Sequence, residues 1–181
     1  MNPKFALRST VAALLLAGLA AAPWAQAQDT APSGASERVS VELGAFDQMT
    51  EVRRLRGQPR RSAEQGIRSL ARWLESQAAP RVPADQRLHV TLVDVDLAGD
   101  YEPGASIDMQ DVRVVKDIYP PRIEIRWAFS DAAGEVLREG EGTLRDPGFM
   151  TVGGVIDSDT LRYEKRLLRD WLRRVLPPSA P

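Results

Sequence analysis

The stretch Arg122–Phe129, with the sequence RIEIRWAF, decides the fold of this protein. Large apolar residues alternate there with charged or small ones, and the apolar set is Ile123, Ile125, Trp127 and Phe129. Because successive side chains of a β-strand point to opposite faces, this alternation predicts a strand with one buried and one hydrated face. The turn sequence DAAG follows at Asp131–Gly134, so Glu135–Leu144 is predicted to return as the partner strand of a hairpin.

Two amphipathic helices are predicted to cover the apolar face of this hairpin. The first spans Ser62–Gln77 and begins with Ser62 and Gln65 at capping-box spacing. Its apolar stripe comprises Ala63, Ile67, Leu70, Ala71 and Leu74. The second helix starts at a cap on Asp157 or Ser158 and ends before Pro177. Its apolar stripe comprises Leu161, Leu168, Trp171, Leu172 and Val175, and its basic side comprises Arg162, Lys165, Arg166, Arg169, Arg173 and Arg174.

Three other stretches read as strands. Val39–Leu43 alternates over a short length, and Leu88–Leu97 alternates with a slip of one residue at Leu92–Val93, which predicts a β-bulge or a switch of the buried face. Val112–Val115 is predicted to begin a further strand. Short connections between neighbouring strands favour antiparallel pairing. We therefore predict a two-layer α+β domain over residues 38–177, with an antiparallel sheet of about four to five strands and both helices on one face.

The first residues have the order of a secretory signal peptide. Lys4 and Arg8 are basic, Val11–Ala22 is apolar, and Ala25–Ala27 reads AQA. This order predicts a signal peptide over 1–27, cleaved after Ala27, and then a disordered polar leader over 28–37. An uncleaved membrane anchor is the alternative, but the apolar run is shorter than the roughly 20 residues that span a bilayer.

Composition excludes several classes of function. The chain has 181 residues, 24 Lys and Arg against 25 Asp and Glu, one His and no Cys. Zero Cys excludes thiol nucleophiles, disulfides and cysteine-ligated metals, and the single His89 argues against a multi-histidine site. A formal charge of −1 gives no field that would favour nucleic acid.

An acidic segment holds the candidate binding residues Asp94, Asp96 and Asp100. Its spacing begins like a calcium loop and then fails, because Ala98 and Ala105 stand where oxygen ligands are needed. Two of these carboxylates could instead act as acid and base in glycoside hydrolysis if they faced each other across a cleft. In the structural interpretation, Asp94 and Asp96 are solvent-facing strand residues or pair with Arg113 and Lys116 on a neighbouring strand. We predict no metal and no cofactor.

Two more polar groups invite a functional interpretation. Lys116, Asp117 and Tyr119 precede Pro120–Pro121 and could form a polar site. In the structural interpretation, Lys116 pairs with an acid, Tyr119 packs at the domain edge, and the prolines blunt the edge of a strand. Five arginines, Arg53, Arg54, Arg56, Arg60 and Arg61, form either a docking patch for anionic groups or a solvated loop before the first helix.

Four stretches together resemble a bacterial exported family known as domain-of-unknown-function family 3016. They are VDVDLAGDYEPG at 93–104, VRVVKDIYPPRIEI at 112–125, LREGEGTL at 137–144 and DTLRYEKRLLRDWL at 159–172. The resemblance covers about residues 37–176 and is weakest over 44–61. It implies export and a single domain, and it supplies no activity, cofactor or catalytic residue.

These observations predict an exported, non-enzymatic envelope protein that is periplasmic or secreted and binds another envelope protein or polymer. Two alternatives stay open: a ligand- or cation-binding module that uses the acidic segment, and a small hydrolase of an envelope polymer with paired carboxylates. We predict no nucleic-acid partner and no stable membrane insertion after cleavage.

Overall fold

A computed structural model describes residues 38–55, 60–102, 112–151 and 158–176, which belong to one compact unit, Pro32–Pro181. The predicted signal peptide and leader lie outside the described residues. The strands are β1 (Val39–Leu43), β2 (Gln86–Asp96), β3 (Arg122–Asp131) and β4 (Val136–Arg145). The helices are α1 (Thr50–Arg53), α2 (Arg60–Ala78) and α3 (Arg162–Val175), and short 3-10 turns cover Phe46–Gln48 and Ala79–Arg81. Among the described residues, no helix is long and apolar enough to cross a membrane.

The described strands form one four-stranded sheet in the order β1-β2-β3-β4. β2, β3 and β4 pair antiparallel, as expected of neighbours in a meander. β1 pairs with β2 in parallel, so the prediction of a wholly antiparallel sheet is wrong and the sheet is mixed. The reason is the connection: α2 lies between β1 and β2 in the chain, and a helix returns the chain to the end of the sheet where a parallel strand must start.

The predicted alternation in β3 builds the core. Ile123, Ile125 and Phe129 are buried, and Trp127 is half-buried against the same cluster. The stripes of both long helices join it, including Leu70 and Leu168. This confirms an α+β architecture in which the helices pack on the apolar face of the sheet.

The packing of Trp127 against β4 requires a glycine at position 140. It pairs with Trp127 across the two strands. A Cβ atom on Gly140 would lie 2.8 Å from Cζ2 of the indole. Only glycine therefore lets the Trp127 ring lie flat over the edge strand.

The phase slip in β2 is a β-bulge, which keeps the apolar side chains on one face. The register with β3 shifts between Leu92 and Asp94, so Val93 is the extra residue. Leu92 and Val95 are both fully buried although they are three residues apart, which an unbroken alternation would forbid. Gly44 packs on the bulge and donates its N–H to the Leu92 carbonyl at 2.9 Å.

The prediction of a strand at Val112–Val115 is wrong. Val114 forms a single isolated bridge with Asp100, and the described residues beside it join no strand. Gly99 turns the chain away from the sheet with φ +88°, and its N–H donates to the Tyr119 carbonyl at 3.0 Å. The segment that contains Val114 therefore crosses the end of β2 instead of lengthening the sheet.

Candidate functional site

The turn Leu97–Tyr101, which follows β2, has no regular secondary structure, yet its first residues are largely buried. Backbone N–H groups in such a place need acceptors, because an unpaired buried N–H is costly. Each N–H from 97 to 101 has one. Those of residues 99 and 100 donate to the carbonyls of Tyr119 and Val114, and that of Tyr101 donates to the Asp100 carboxylate at 2.8 Å.

Two buried carboxylates accept from the remaining pair of N–H groups. Glu51 of α1 accepts from Leu97 N–H at 3.1 Å, and Glu164 of α3 accepts from Ala98 N–H at 2.6 Å. Both residues are almost completely buried, at 2% and 1% exposure. Two helices that are distant in sequence are thus joined to consecutive peptide groups at the end of one strand.

Arg113 completes the turn from the opposite side. Its Nη2 donates to Glu51, and its Nη1 donates to the carbonyls of Leu97, Ala98 and Gly99 at 3.1–3.4 Å. The guanidinium also lies 5.0 Å from the centroid of the Tyr101 ring, a cation–π contact. One arginine therefore neutralises a buried acid and satisfies three carbonyls that the sheet does not use.

The three predicted aspartates lie beside this turn and are also held by their own chain. Asp94 accepts from the N–H and the hydroxyl of Thr50 at 2.6 and 2.7 Å, which places a carboxylate at the start of α1. Arg122 donates to the same carboxylate at 3.2 Å. Arg54 lies between the other two, 3.0 Å from Asp96 and 3.6 Å from Asp100. The expected partners Arg113 and Lys116 are wrong, since Arg122 and Arg54 take that role.

We call this set of residues the β2-end cluster. Its acids are Glu51, Asp94, Asp96, Asp100 and Glu164, and its arginines are Arg54, Arg113 and Arg122.

Burial changes the proton affinity of two of these acids. Desolvation raises the pKa of Asp96 from 3.8 to about 6, against the opposing effect of Arg54 and with help from Glu51, Asp94 and Asp100. Desolvation likewise raises the pKa of Glu164, although the Ala98 N–H opposes it. The second carboxyl oxygen of Glu164 is buried and has no hydrogen-bond partner among the described residues. An uncharged Glu164 suits such a place better than a carboxylate does.

The raised pKa of Asp96 predicts a pH-dependent stability. The folded state binds the Asp96 proton more tightly than the unfolded chain does. The protonated side chain therefore adds to the free energy of unfolding below about pH 4, and this contribution is lost as the pH rises through about 6. Urea unfolding at a series of pH values should show that the wild type loses about 2–3 kcal/mol relative to Asp96→Asn over this interval. Asp85→Asn, which removes an exposed carboxylate, controls for the change of charge. Parallel profiles for wild type and D96N would contradict the assignment.

Lys116, Asp117 and Tyr119 do not join the β2-end cluster through their side chains. Lys116 Nζ lies 2.5 Å from Glu102, and the Tyr119 hydroxyl lies 3.4 Å from the same carboxylate. The Lys116 hydrogen bond lowers the pKa of Glu102 below its ordinary value. Asp117 is exposed on the turn between them. The predicted set thus divides into the three aspartates of the cluster, a surface ion pair, and one solvated acid.

The acids of the β2-end cluster are engaged by groups of their own chain. Within the described ranges, no group of three or more His, Asp or Glu side chains is arranged to hold a metal ion. The acids of the cluster point at arginines and peptide N–H groups of the same chain. His89 lies on the uncovered face of the sheet, half-exposed, where its Nδ1 is 2.9 Å from the Ser40 hydroxyl.

Sequence reasoning missed Glu51, Glu164, Arg54 and Arg122 as members of this cluster, and it gave Arg113 the wrong partner. Glu164 had a detectable signal: it lies three residues after Leu161 and four before Leu168, so it interrupts the apolar stripe of α3. A charged residue on an apolar stripe indicates a buried polar contact. Glu51 lies in a helix of only four residues, which is too short to show such a stripe.

The chain is thus a small α+β protein in which buried ionic contacts hold the end of β2 in place. The chain belongs to the family described as "Protein of unknown function (DUF3016)", whose profile matches residues 37–174. This confirms the resemblance drawn from the sequence. No curated protein and no solved structure matches the chain.

Proposed function

We propose that this protein is exported to the bacterial envelope, has no enzymatic activity, and binds an acidic envelope protein or polymer through the outer surface of α2 and α3. The order of residues 1–27 supports export. The aspartates considered for catalysis or cation binding are engaged by Arg54, Arg122 and Thr50, which weighs against both alternatives.

The observation that carries the binding proposal is an excess of cations on the helices of a chain with a formal charge of −1. The sequence of α3 contains six Lys and Arg against two acids, and one of these acids, Glu164, is buried. The sequence of α2 contains four Arg against two acids. Such a surface attracts anionic partners, and it does so most strongly at low salt.

Several of these cations are available to a partner. Arg61, Arg72, Arg169 and Arg174 are exposed and have no ion-pair partner within the described part of the chain. Trp73 of α2 lies near two cations of α3, with Lys165 Nζ 5.9 Å and the Arg169 guanidinium 5.7 Å from the centroid of its ring. The aromatic ring orders both side chains beside the seam of the two helices. We call the surface of Arg61, Arg72, Trp73 and Arg169 the basic helix face.

A triple substitution on the basic helix face tests this proposal. The protein purified from cells that express the full chain is titrated at low ionic strength with polyglutamate, an acidic polypeptide, and with dextran sulfate, an acidic polymer. R61Q/R72Q/R169Q should weaken binding by about tenfold or more, because each lost pair contributes up to about 1 kcal/mol.

The matched control removes three exposed arginines outside α2 and α3, R53Q/R87Q/R126Q, and should bind as the wild type does. Equal weakening by both triple variants would mean that only total charge matters. That result, or wild-type protein that binds neither probe, would contradict the proposal.

A further inference from the structure

Beyond its pairing with β3, the last strand, β4, has no neighbour among the described strands. It ends the strand order, it is ten residues long, and apart from Gly140 and Leu144 its residues are exposed. Val136 and Leu137 are exposed by 57% and 53%. The opposite edge is protected: β1 has five residues, and its Val41 N–H donates to Glu75 of α2 at 3.0 Å. A long unpaired edge is a template for another strand.

Two charges on β4 have no partner in their own sheet. Glu139 lies opposite Ala128, and Arg145 lies opposite Arg122, which has the same charge. Neither Glu139 nor Arg145 forms an ion pair with any described residue. Glu141, between them, pairs with Arg126 at 3.5 Å.

These charges are placed so that β4 complements itself. In an antiparallel pair of β4 strands related by a twofold axis at Gly142, Glu139 faces Arg145 of the other copy, and Glu141 faces Thr143. All four lie on the uncovered face of the sheet, so the facing side chains are on the same side. An axis at Gly140 would instead oppose Glu139 and Glu141, and an axis at Glu141 would oppose Glu141 to itself. Like charges that face each other destabilise a strand pair.

From this complementarity we infer that the protein forms a twofold dimer in which two β4 strands pair about Gly142 and two sheets become one of eight strands. The strand that pairs with β4 is β4 of a second copy, because this pairing gives Glu139 and Arg145 of both copies an oppositely charged partner. The β4 edge contains no residue of the basic helix face. The dimer and the proposed function can therefore be tested independently of each other.

Reversing the charges of Glu139 and Arg145 tests the register. The oligomeric state is measured by sedimentation of protein purified from cells that express the full chain. The wild type should be a dimer. Glu139→Arg should raise its dissociation constant by about tenfold or more, since two attractive contacts become repulsive. E139R/R145E should restore the dimer. Glu135→Arg, an exposed site just before β4, is the matched control and should sediment as the wild type does. A monomeric wild type, or a double variant no better than E139R, would overturn the inference.

Cross-linking supplies a second measurement, because the chain has no cysteine of its own. At the axis two Gly142→Cys residues would have Cα atoms about 4.5–5.5 Å apart, within disulfide range. A Cβ at Gly142 meets nothing within 4 Å, so the substitution fits. Oxidised G142C should run as a covalent dimer. Thr143→Cys places its two cysteines diagonally, about 7–8 Å apart, and should not cross-link efficiently. The reverse pattern, or no cross-link in either variant, would overturn the register.

Discussion

Replacing Arg113 with alanine should lower the free energy of unfolding by about 3–5 kcal/mol. The guanidinium is the ion-pair partner of Glu51, whose side chain is only 3% exposed. Without it, the carboxylate is left buried with one peptide N–H as its remaining hydrogen bond, and the carbonyls of Leu97, Ala98 and Gly99 lose their donor. Removing one member of a buried pair costs far more than the pair contributes when intact. Urea unfolding at one protein concentration measures the loss.

Two further variants separate charge burial from simple loss of packing. Arg126→Ala breaks an exposed ion pair with Glu141 and should cost less than about 1 kcal/mol. Adding Glu51→Gln to Arg113→Ala removes the orphaned charge and should recover part of the loss. A loss in R113A no greater than that in R126A would show that the β2-end cluster does not stabilise the fold.

Replacing Phe129 with alanine is expected to cost about 3–5 kcal/mol as well, through a cavity instead of a charge. Phe129 is the largest of the fully buried side chains of β3. Its ring meets Trp127 edge-on with centroids 5.7 Å apart, and the Arg138 guanidinium lies 4.1 Å from its centroid. The substitution therefore removes core contacts and two ring contacts together.

The measurement is again urea unfolding, compared with Ile118→Ala. Ile118 is 65% exposed, so its truncation should change stability by no more than about 0.5 kcal/mol. If F129A unfolded at the same urea concentration as I118A, the alternation of β3 would not be what organises the core.

Sequence patterns predicted burial correctly where burial depends on the spacing of residues within one helix or strand. The alternation of β3 and the stripe of α3 predicted which side chains are buried, because period and burial are both set within one strand or helix. The slip at Leu92–Val93 predicted the bulge for the same reason. The aspartates that the sequence singled out lie together at the end of β2, but their arginine partners there were not predicted.

The errors share a different cause. The parallel pairing of β1 with β2 depends on where α2 returns the chain, which no pattern within β1 records. Val112–Val115 has the composition of a strand, but its neighbour in space is the turn after β2. The partner of Arg113 is Glu51, 62 residues away in the chain, and the two meet only because α1 and the crossing segment pack on the same strand end.

By itself, the sequence determined the α+β class, the buried faces of β3 and both long helices, the bulge in β2, and membership in a family of proteins of unknown function. Tertiary structure alone decided the parallel first strand, the ionic cluster at the end of β2, and the exposed edge at β4. The physical reason is the separation along the sequence. Hydrophobic periodicity depends on a few consecutive residues, whereas the partner of a buried charge depends on which distant segment of the packed chain lies within hydrogen-bonding distance.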